Sequence, residues 1–274
     1  MKDMPFAGLR VLSLESRRTR DMESLILRQG GVPFVAPSVK EQTIDDPSAA
    51  IHFVEQLEAG VFDMVVCMTG VGVAFLRDLA TRQMPVERFA AALRRATIVA
   101  RGPKPVVVLR ALQVAIDVLI PEPNTWKEVV AAIAARPERR IALQEYGRSN
   151  PEMIAALEAL GATVTTVTPY RWELPEDLEP LKKAARGLAQ GEFDVVLFTS
   201  SIQLDHLLEV AQSLGIEETV MEALGKRVVI ASIGPIMSAA LTARGLAPLI
   251  VPETAKIGAL VVAAAEQAHH HLSR

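Results

Sequence analysis

An internal repeat constrains the fold of this chain more than any other feature of its sequence. Residues 62–76 read FDMVVCMTGVGVAFL and residues 193–207 read FDVVLFTSSIQLDHL, so one pattern occurs twice, about 130 residues apart. In each copy Phe-Asp leads into a continuous aliphatic run, followed by small or polar residues and then by apolar residues spaced three and four apart. The pattern predicts a buried strand, a tight turn and the start of a helix.

Further matches at nearly the same spacing extend the repeat over the whole chain. Their order is the same in both halves, which indicates a duplicated unit of about 130 residues rather than a short solenoid repeat. The matches pair Arg10-Val11 with Arg140-Ile141, Met22 and Gly30 with Met153 and Gly161, Gly102-Pro103 with Gly234-Pro235, and Pro121-Glu122 with Pro252-Glu253.

Short apolar segments alternate with helical patterns along the chain. Because every connection between predicted strands is helical, we expect an α/β fold of parallel sheets with helices on both faces. Two polar segments, residues 38–50 and 169–180, are predicted to be linkers. The predicted strands cover 9–14, 32–37, 62–68, 96–100 and 117–120, and then 140–145, 162–168, 193–198, 227–232 and 247–251.

The positions of the linkers leave two domain divisions open. If the chain crosses between lobes near 38–41 and again near 169–174, residues 1–38 join 174–274 in a discontinuous lobe and residues 41–169 form the other. Each lobe would then be a flavodoxin-like sheet. A single division near residue 137 would instead give two tandem domains, and periodicity alone does not choose between them.

Composition argues against several classes of protein. Half of the 274 residues are apolar, enough for two cores, and the net charge of −3 argues against a nucleic-acid partner. The one cysteine, Cys67, falls in a predicted strand, so no disulfide framework is expected. The sequence shows no signal-peptide pattern, no apolar run of membrane-spanning length and no apolar stripe typical of an interface. We expect a cytoplasmic monomer with no membrane or nucleic-acid partner.

The predicted strand–helix turns are candidate anion sites. In open α/β sheets ligands bind at the carboxyl ends of the strands, where helix N-termini present backbone N–H groups and the positive end of a dipole. If the two lobes face each other, four such turns would line one cleft. The alternative is that these small residues serve only to turn the chain. The candidates are Thr69, Gly70, Val71 and Gly72; Gly102 and Lys104; Thr199, Ser200, Ser201 and Gln203; and Gly234, Ile236 and Met237.

Charged and phenolic side chains near the predicted strand ends form a second group of candidates. A guanidinium can bind a carboxylate through two parallel hydrogen bonds, so a cluster of cations would attract an anionic ligand despite the acidic net charge. Each could equally be a solvated loop charge. The cations one to three residues beyond a predicted strand end are Arg17, Arg18, Arg101, Lys104 and Arg148, and the phenol of Tyr146 has a similar place.

Five segments carry a resemblance to a known family. The chain contains GLRVLSLESRR, FDMVV, VTPYRW, FDVVLFTSS and SIGPIMSAALTARGL, with VPE after the last. In this order, and over essentially the whole chain, they resemble the uroporphyrinogen-III synthase family. The resemblance implies two flavodoxin-like lobes joined by a two-stranded connector, with the interleaved division described above. It also implies a lyase of haem biosynthesis that needs no metal or cofactor. Such an enzyme closes the linear tetrapyrrole hydroxymethylbilane to uroporphyrinogen III, with inversion of ring D and loss of water.

Tyr170 is the candidate catalytic residue. It matches the tyrosine that the family holds over its binding cleft, and the resemblance implies that its phenol assists loss of the substrate hydroxyl as water. A phenol with a pKa near ~10 is protonated at neutral pH, so proton donation is chemically sensible. The alternative is a connector tyrosine that stacks beside Trp172.

The chain departs from the family at residues 236–237. Many members carry a pair of threonines after the Gly-Pro turn, where this chain has Ile236-Met237. Either backbone amides bind there, or activity is weakened. The sequence therefore supports two functions. One is a cyclising lyase acting on a linear tetrapyrrole polycarboxylate, and the other is a non-catalytic two-lobe protein of the same ancestry that binds a small anionic ligand.

Overall fold

The computed structural model describes residues 4–43, 46–147 and 149–272. The chain forms two compact units: residues 1–40 with 173–274 make up unit 1, and residues 41–172 make up unit 2. The chain therefore passes from one unit to the other within both polar segments, rather than once near residue 137. Two short strands at these passages form a separate two-stranded sheet.

Strands and helices alternate along most of the chain. The strands are β1 (Arg10–Ser13), β2 (Val32–Val35), β3 (Lys40–Thr43), β4 (Met64–Cys67), β5 (Thr97–Ala100), β6 (Val118–Leu119), β7 (Arg140–Gln144), β8 (Thr163–Val167), β9 (Tyr170–Glu173), β10 (Val195–Phe198) and β11 (Val229–Ser232). The helices are α1 (Thr19–Arg28), α2 (Ser48–Glu58), α3 (Gly70–Ala80), α4 (Val86–Leu93), α5 (Pro103–Ala111), α6 (Trp126–Ile133), α7 (Pro151–Ala159), α8 (Glu179–Gln190), α9 (Ser201–Ser213), α10 (Glu217–Lys226), α11 (Pro235–Thr242) and α12 (Ile257–Leu272). Among the described residues, no helix combines the length and apolarity that crossing a lipid bilayer requires.

Unit 1 contains a parallel four-stranded sheet in the order β11-β10-β1-β2. Alternate residues of a strand point to opposite faces, so its central strands contribute to two cores. Leu12 and Val196 pack with helices α8 to α11, whereas Val11 and Val195 pack with α1 and α12. Burial on both faces explains why β10 is a continuous apolar run.

Unit 2 contains a parallel five-stranded sheet in the order β6-β5-β4-β7-β8. Val65 and Cys67 pack with helices α2 to α5, and Met64 and Val66 pack with α6 and α7. Burial raises the pKa of the Cys67 thiol to about 12. Cys67 is thus a core residue, because a thiol with this pKa is not a nucleophile at neutral pH.

The aspartates that open the two repeats have the same role in each unit. Asp194, before β10, accepts hydrogen bonds from the backbone N–H of Arg10 at 2.7 Å and from its guanidinium at 2.6 Å. Asp63, before β4, pairs with Arg140 in the same way. Each ion pair joins the starts of two neighbouring central strands, which explains why both residues recur in the repeat.

Corresponding strands occupy corresponding places in the two sheets. The order β2-β1-β10-β11 of unit 1 is matched by β8-β7-β4-β5 of unit 2, to which β6 adds an edge. The predicted fold class is confirmed: the chain has two α/β lobes with parallel sheets flanked by helices, and β3 pairs with β9 in a two-stranded connector.

Three details of the predicted secondary structure are wrong. Helices α4 and α10 were not predicted, and the polar segments contain the strands β3 and β9. The predicted strand 247–251 is reduced to an isolated bridge between Ile250 and Ala231. Pro248 lies within this segment, and its lack of an N–H group interrupts a regular ladder.

Candidate active site

Three neighbouring strands of unit 2 bring candidate residues to one edge of the sheet. β5, β4 and β7 lie side by side and are parallel. Within two residues of their carboxyl ends the chain carries Arg101, Thr69 and Tyr146, respectively. β9 adds Tyr170. We call these four residues the unit 2 site.

Tyr170 is fixed by aromatic packing and by a hydrogen bond to a threonine. Its side chain is only 1% exposed. The ring contacts Phe75, with 5.5 Å between centroids, and Trp172, with 6.4 Å between centroids. Its phenol oxygen lies 3.3 Å from the hydroxyl oxygen of Thr69, and either group can donate. A proton can therefore pass between the phenol and the half-buried threonine.

Thr69 is the N-cap of α3. Its Oγ1 accepts a hydrogen bond from the backbone N–H of Gly72 at 3.0 Å, and its own N–H donates to Oε1 of Gln144 at 3.0 Å. A Cβ atom at Gly72 would overlap the Gln144 amide, and one at Gly70 would lie 2.5 Å from the carbonyl oxygen of Lys104. Both glycines are buried, and they allow close packing at the start of α3.

Arg101 extends from the end of β5 and is half-buried. Its guanidinium carbon lies 5.4 Å from the centroid of the Tyr146 ring, a cation–π distance. Burial is the largest effect on its pKa and lowers it, while the phenols of Tyr146 and Tyr170 act in the opposite direction. Within the described ranges no carboxylate comes within ion-pair distance of this guanidinium.

Tyr146 is held in place from two sides. Its hydroxyl oxygen accepts a hydrogen bond from Nδ2 of Asn150 at 3.1 Å, and its ring lies 5.9 Å from that of Trp172. Gly147 has a positive φ of 68°, and a Cβ there would overlap the Trp172 ring. The turn after β7 therefore needs glycine.

The other candidates of unit 2 lie at the start of α5 and beyond β7. Gly102 is the buried N-cap of α5, and Lys104 is exposed in its first turn. Val71 is half-buried in the first turn of α3. Arg148 lies outside the described residues.

In unit 1, the predicted turn at residues 199–203 is satisfied by its own hydrogen bonds. Oε1 of Gln203 accepts from the backbone N–H groups of Thr199 at 2.7 Å and Ser200 at 3.2 Å, and its Nε2 donates to the carbonyl of Leu14 at 3.1 Å. Ser200 and Gln203 also form a capping box at α9, whose first residue is Ser201. Gln203 is buried, so this side chain holds the turn.

The second predicted turn of unit 1 lacks side-chain donors for a ligand. Gly234 is the N-cap of α11. Met237 is buried in the core and Ile236 is 49% exposed, so neither offers more than its backbone amide for hydrogen bonding. Arg17 is exposed beyond β1, and its backbone N–H donates to Glu15 at 3.1 Å.

Sequence reasoning missed Gln144 and Glu145 at the end of β7. Gln144 orients Thr69, as described above. Glu145 is only 5% exposed; its Oε2 accepts from the hydroxyl of Thr168 at 2.7 Å, and its Oε1 has no partner among the described residues. The repeat could have revealed it, because Glu15 and Glu145 each stand five residues after a matched arginine. No group of three or more His, Cys, Asp or Glu suited to a metal ion occurs in the described part of the chain.

The comparisons with known proteins agree with this fold. Residues 20–262 match the family described as uroporphyrinogen-III synthase HemD. Uncharacterized protein YjjA of Bacillus subtilis (strain 168) is 28% identical over 262 residues, which cover 93% of this chain and 94% of that protein. A crystal structure of a mutant uroporphyrinogen III synthase from the extremely thermophilic bacterium Thermus thermophilus is 25% identical, covers 96% of this chain and 100% of that one, and gives a TM-score of 0.74.

A further solved structure shares the fold at lower identity. The crystal structure of uroporphyrinogen-III synthetase from Helicobacter pylori 26695 is 10% identical, covers 93% of this chain and 98% of that one, and gives a TM-score of 0.55. The family match spans most of the chain, including all four residues of the unit 2 site. This chain therefore belongs to the uroporphyrinogen-III synthase HemD family.

Proposed function

We propose that this protein is a uroporphyrinogen-III synthase, which closes hydroxymethylbilane to uroporphyrinogen III with inversion of ring D and loss of water. One observation carries the proposal beyond family membership: the phenol of Tyr170 lies 3.3 Å from the Thr69 hydroxyl at the N-terminus of α3. A proton donor thus stands beside a helix N-terminus at the carboxyl edge of a parallel sheet, where ligands of such folds bind.

The first step is loss of the terminal hydroxyl of the substrate. Because Tyr170 is almost fully buried, the half-buried Thr69 hydroxyl is the group that contacts the substrate. Thr69 gives its proton to the leaving oxygen and takes one from Tyr170. The carbon–oxygen bond breaks, its electron pair leaves with water, and a cationic azafulvene remains. Proton donation by a positioned group of this kind contributes roughly 10²- to 10⁴-fold to a rate.

Ring closure then requires that the flexible tetrapyrrole be held bent. Contacts that fix a reactive conformation convert lost flexibility into rate. We propose that backbone amides at the helix starts and nearby side chains supply these contacts to the substrate carboxylates. The proposed contacts are Arg17, Thr69, Gly70, Val71, Gly72, Arg101, Gly102, Lys104, Tyr146 and Arg148, and, from unit 1, Thr199, Ser200, Ser201, Gln203, Gly234, Ile236 and Met237.

An isomer-resolved assay tests this function. Pre-formed hydroxymethylbilane is supplied to the purified protein, and the type III product is separated from the type I product that forms spontaneously. We expect type III to predominate at catalytic protein concentration. Type I alone would refute the enzyme proposal. We also propose a cytoplasmic monomer, which light scattering during gel filtration tests for the oligomeric state.

The second candidate is a non-catalytic protein that binds a small anionic ligand. It is favoured by the turn before α11, where Met237 is buried and neither residue 236 nor residue 237 carries a hydroxyl. In that case the protein would bind the type III product without accelerating its formation. The same assay, combined with equilibrium binding of uroporphyrin, distinguishes the two functions.

A further inference from the structure

Arg101 differs from the other arginines that end or begin the central strands. Arg10 and Arg140 each pair with an aspartate, whereas Arg101 is half-buried and meets no carboxylate in the ranges that the structure describes. Removing a guanidinium from water without giving it an anion costs free energy. The lowered pKa of Arg101 has this cause. Such a cost calls for a partner that the chain itself does not supply.

Tyr146 keeps this cation in a defined place. The guanidinium carbon lies 5.4 Å from the ring centroid, and a cation–π contact of this kind offsets part of the cost of burial. The ring is itself fixed by Asn150 and Trp172. The N–H groups of Arg101 are therefore presented by a rigid support, which favours binding of a planar anion through two hydrogen bonds.

The duplication shows that the fold needs neither residue. The position that matches Arg101 in unit 1 is Ile233, which also precedes a Gly-Pro turn and packs against apolar residues. The position that matches Tyr146 is Ser16, whose hydroxyl accepts hydrogen bonds from the backbone N–H groups of Ser38 and Val39, both at 2.9 Å. The pair is thus an addition specific to unit 2, and folding does not explain it.

We propose that Arg101, supported by Tyr146, is a carboxylate-binding site specific to unit 2. Its ligand is one carboxylate side chain of the substrate, bound by the guanidinium through two hydrogen bonds. The identity of that ligand rests on the proposed function, whereas the existence of the carboxylate site does not.

The site also selects which end of the substrate it binds. Tyr170 raises the pKa of Arg101 against the effect of burial, so the guanidinium lies within electrostatic reach of the proposed proton donor. The bound carboxylate therefore belongs to a ring at the reacting end of the tetrapyrrole. Because Ile233 cannot bind a carboxylate, the matching place in unit 1 cannot accept this end, and the substrate binds in one orientation.

The first test measures the site without any assay of activity. The Nε–Hε signal of Arg101, assigned by its absence from the Arg101→Lys spectrum, is followed by NMR while propionate is added to the full chain. We expect a saturable shift of this signal and only a small, linear drift for the exposed Arg110. A shift of Arg101 no larger than that of Arg110 would overturn the proposal.

The second test uses steady-state kinetics with hydroxymethylbilane. Arg101→Gln should raise KM about 10- to 100-fold, the range that loss of a charged hydrogen-bonded contact implies, with a smaller change in kcat. Arg101→Lys should raise KM less, since it keeps the charge and loses the paired geometry. Arg94→Gln is the matched control: its guanidinium binds the carbonyl groups of Leu112 and Gln113, so KM should stay unchanged.

The outcomes separate this proposal from the function on which it rests. If the unmodified protein makes no type III product but Arg101 binds propionate, the enzyme proposal fails and the carboxylate site stands. If the protein is an active synthase and Arg101→Gln has a normal KM, the site is not used by the substrate and the proposal is wrong. Arg101→Gln should also melt at or above the temperature of the parent protein, because it removes an unpaired buried cation. A lower melting temperature would indicate a structural role.

Discussion

At the scale of single residues, the duplication provides an internal comparison between two buried glutamates. Glu15 follows β1 and Glu145 follows the matching strand β7. Glu15 accepts from the Thr199 hydroxyl at 2.7 Å and from the backbone amides of residues 17 and 18 at 3.1 and 3.3 Å. Glu145 accepts from Thr168, and its second oxygen is buried without a partner in the described residues. One position therefore has different energetic value in the two units.

Replacing each glutamate with methionine should expose this difference. We expect Glu15→Met to lower the free energy of unfolding by about 3 kcal/mol, because two amides and a hydroxyl lose their acceptor. Glu145→Met should cost at most about 1 kcal/mol, because one hydrogen bond is lost together with the unpaired oxygen. Urea denaturation of both variants measures the two values. Equal losses would contradict the comparison.

The hydroxyl pair of Tyr170 and Thr69 makes a second prediction at this scale. Tyr170→Phe should lower kcat about 100-fold and leave KM nearly unchanged, because it removes a proton donor but little binding surface. Thr69→Val should lower kcat to a similar extent, since the phenol then has no hydroxyl through which to act. Thr69→Ser is the control that keeps the hydroxyl and most of the rate. A normal kcat for Thr69→Val would exclude the threonine from the proton path.

At the scale of helices and strands, the Asp–Arg pairs that join neighbouring strands make the stability depend on pH. The hydrogen bonds from Arg10 hold the pKa of Asp194 below its ordinary value of 3.8. A carboxylate with a lowered pKa in the folded state contributes stability that is complete above its ordinary pKa and is lost as the pH falls through the folded-state pKa. The contribution at neutral pH is about 1 kcal/mol, because the arginine is partly exposed to solvent.

Asp194→Asn should therefore be less stable than the parent protein at pH 7 but not in acid. We expect the difference of about 1 kcal/mol to shrink towards zero as the pH falls below roughly 3, measured by urea denaturation across the pH range. Asp21→Asn is the control, because its pair with Arg18 is more than half exposed and should contribute little. A difference that stayed constant with pH would rule out the ion pair as its source.

The strand–helix turns show what local sequence could and could not predict. The small and polar residues at 69–72 and 199–203 predict the turns, because such residues are needed wherever a parallel strand leads into a helix. They do not report whether a polar group is left over for a ligand. Ser200 and Gln203 serve a capping box and Gly72 serves close packing, while Arg101 is left without an acidic partner in the described chain. That distinction depends on contacts between residues far apart in sequence.

At the scale of the whole molecule, the order of the units along the chain determines which fragments can fold. Unit 2 is continuous from Glu41 to Trp172, and it contains a complete five-stranded sheet with cores on both faces. Unit 1 is interrupted, and its strands β1 and β2 pair with each other and with β10, which lies more than 150 residues further on. A fragment that ends before β10 therefore lacks half of that sheet.

Two fragments test this division. We expect residues 41–172 to fold alone and to unfold cooperatively, since every strand of their sheet is present. Residues 1–137 should fail to give a cooperative transition, because they lack β7, β8, β10 and β11 and so complete neither sheet. Thermal unfolding followed by circular dichroism measures both. A cooperative transition for residues 1–137 would support tandem domains instead.

The sequence by itself determined the fold class, the duplication and the short buried strands, because continuous apolar runs between helical patterns have few other ways to bury their side chains. It also carried enough of the family pattern to indicate a substrate and a candidate tyrosine. Only the tertiary structure decided which strands share a sheet, that Tyr170 lies next to Thr69, and that Arg101 meets Tyr146 and no carboxylate of the described chain. The reason is physical: periodicity reports which face of an element is buried, whereas hydrogen-bond partners and charge neighbours depend on segments more than 30 residues apart that are brought together by packing.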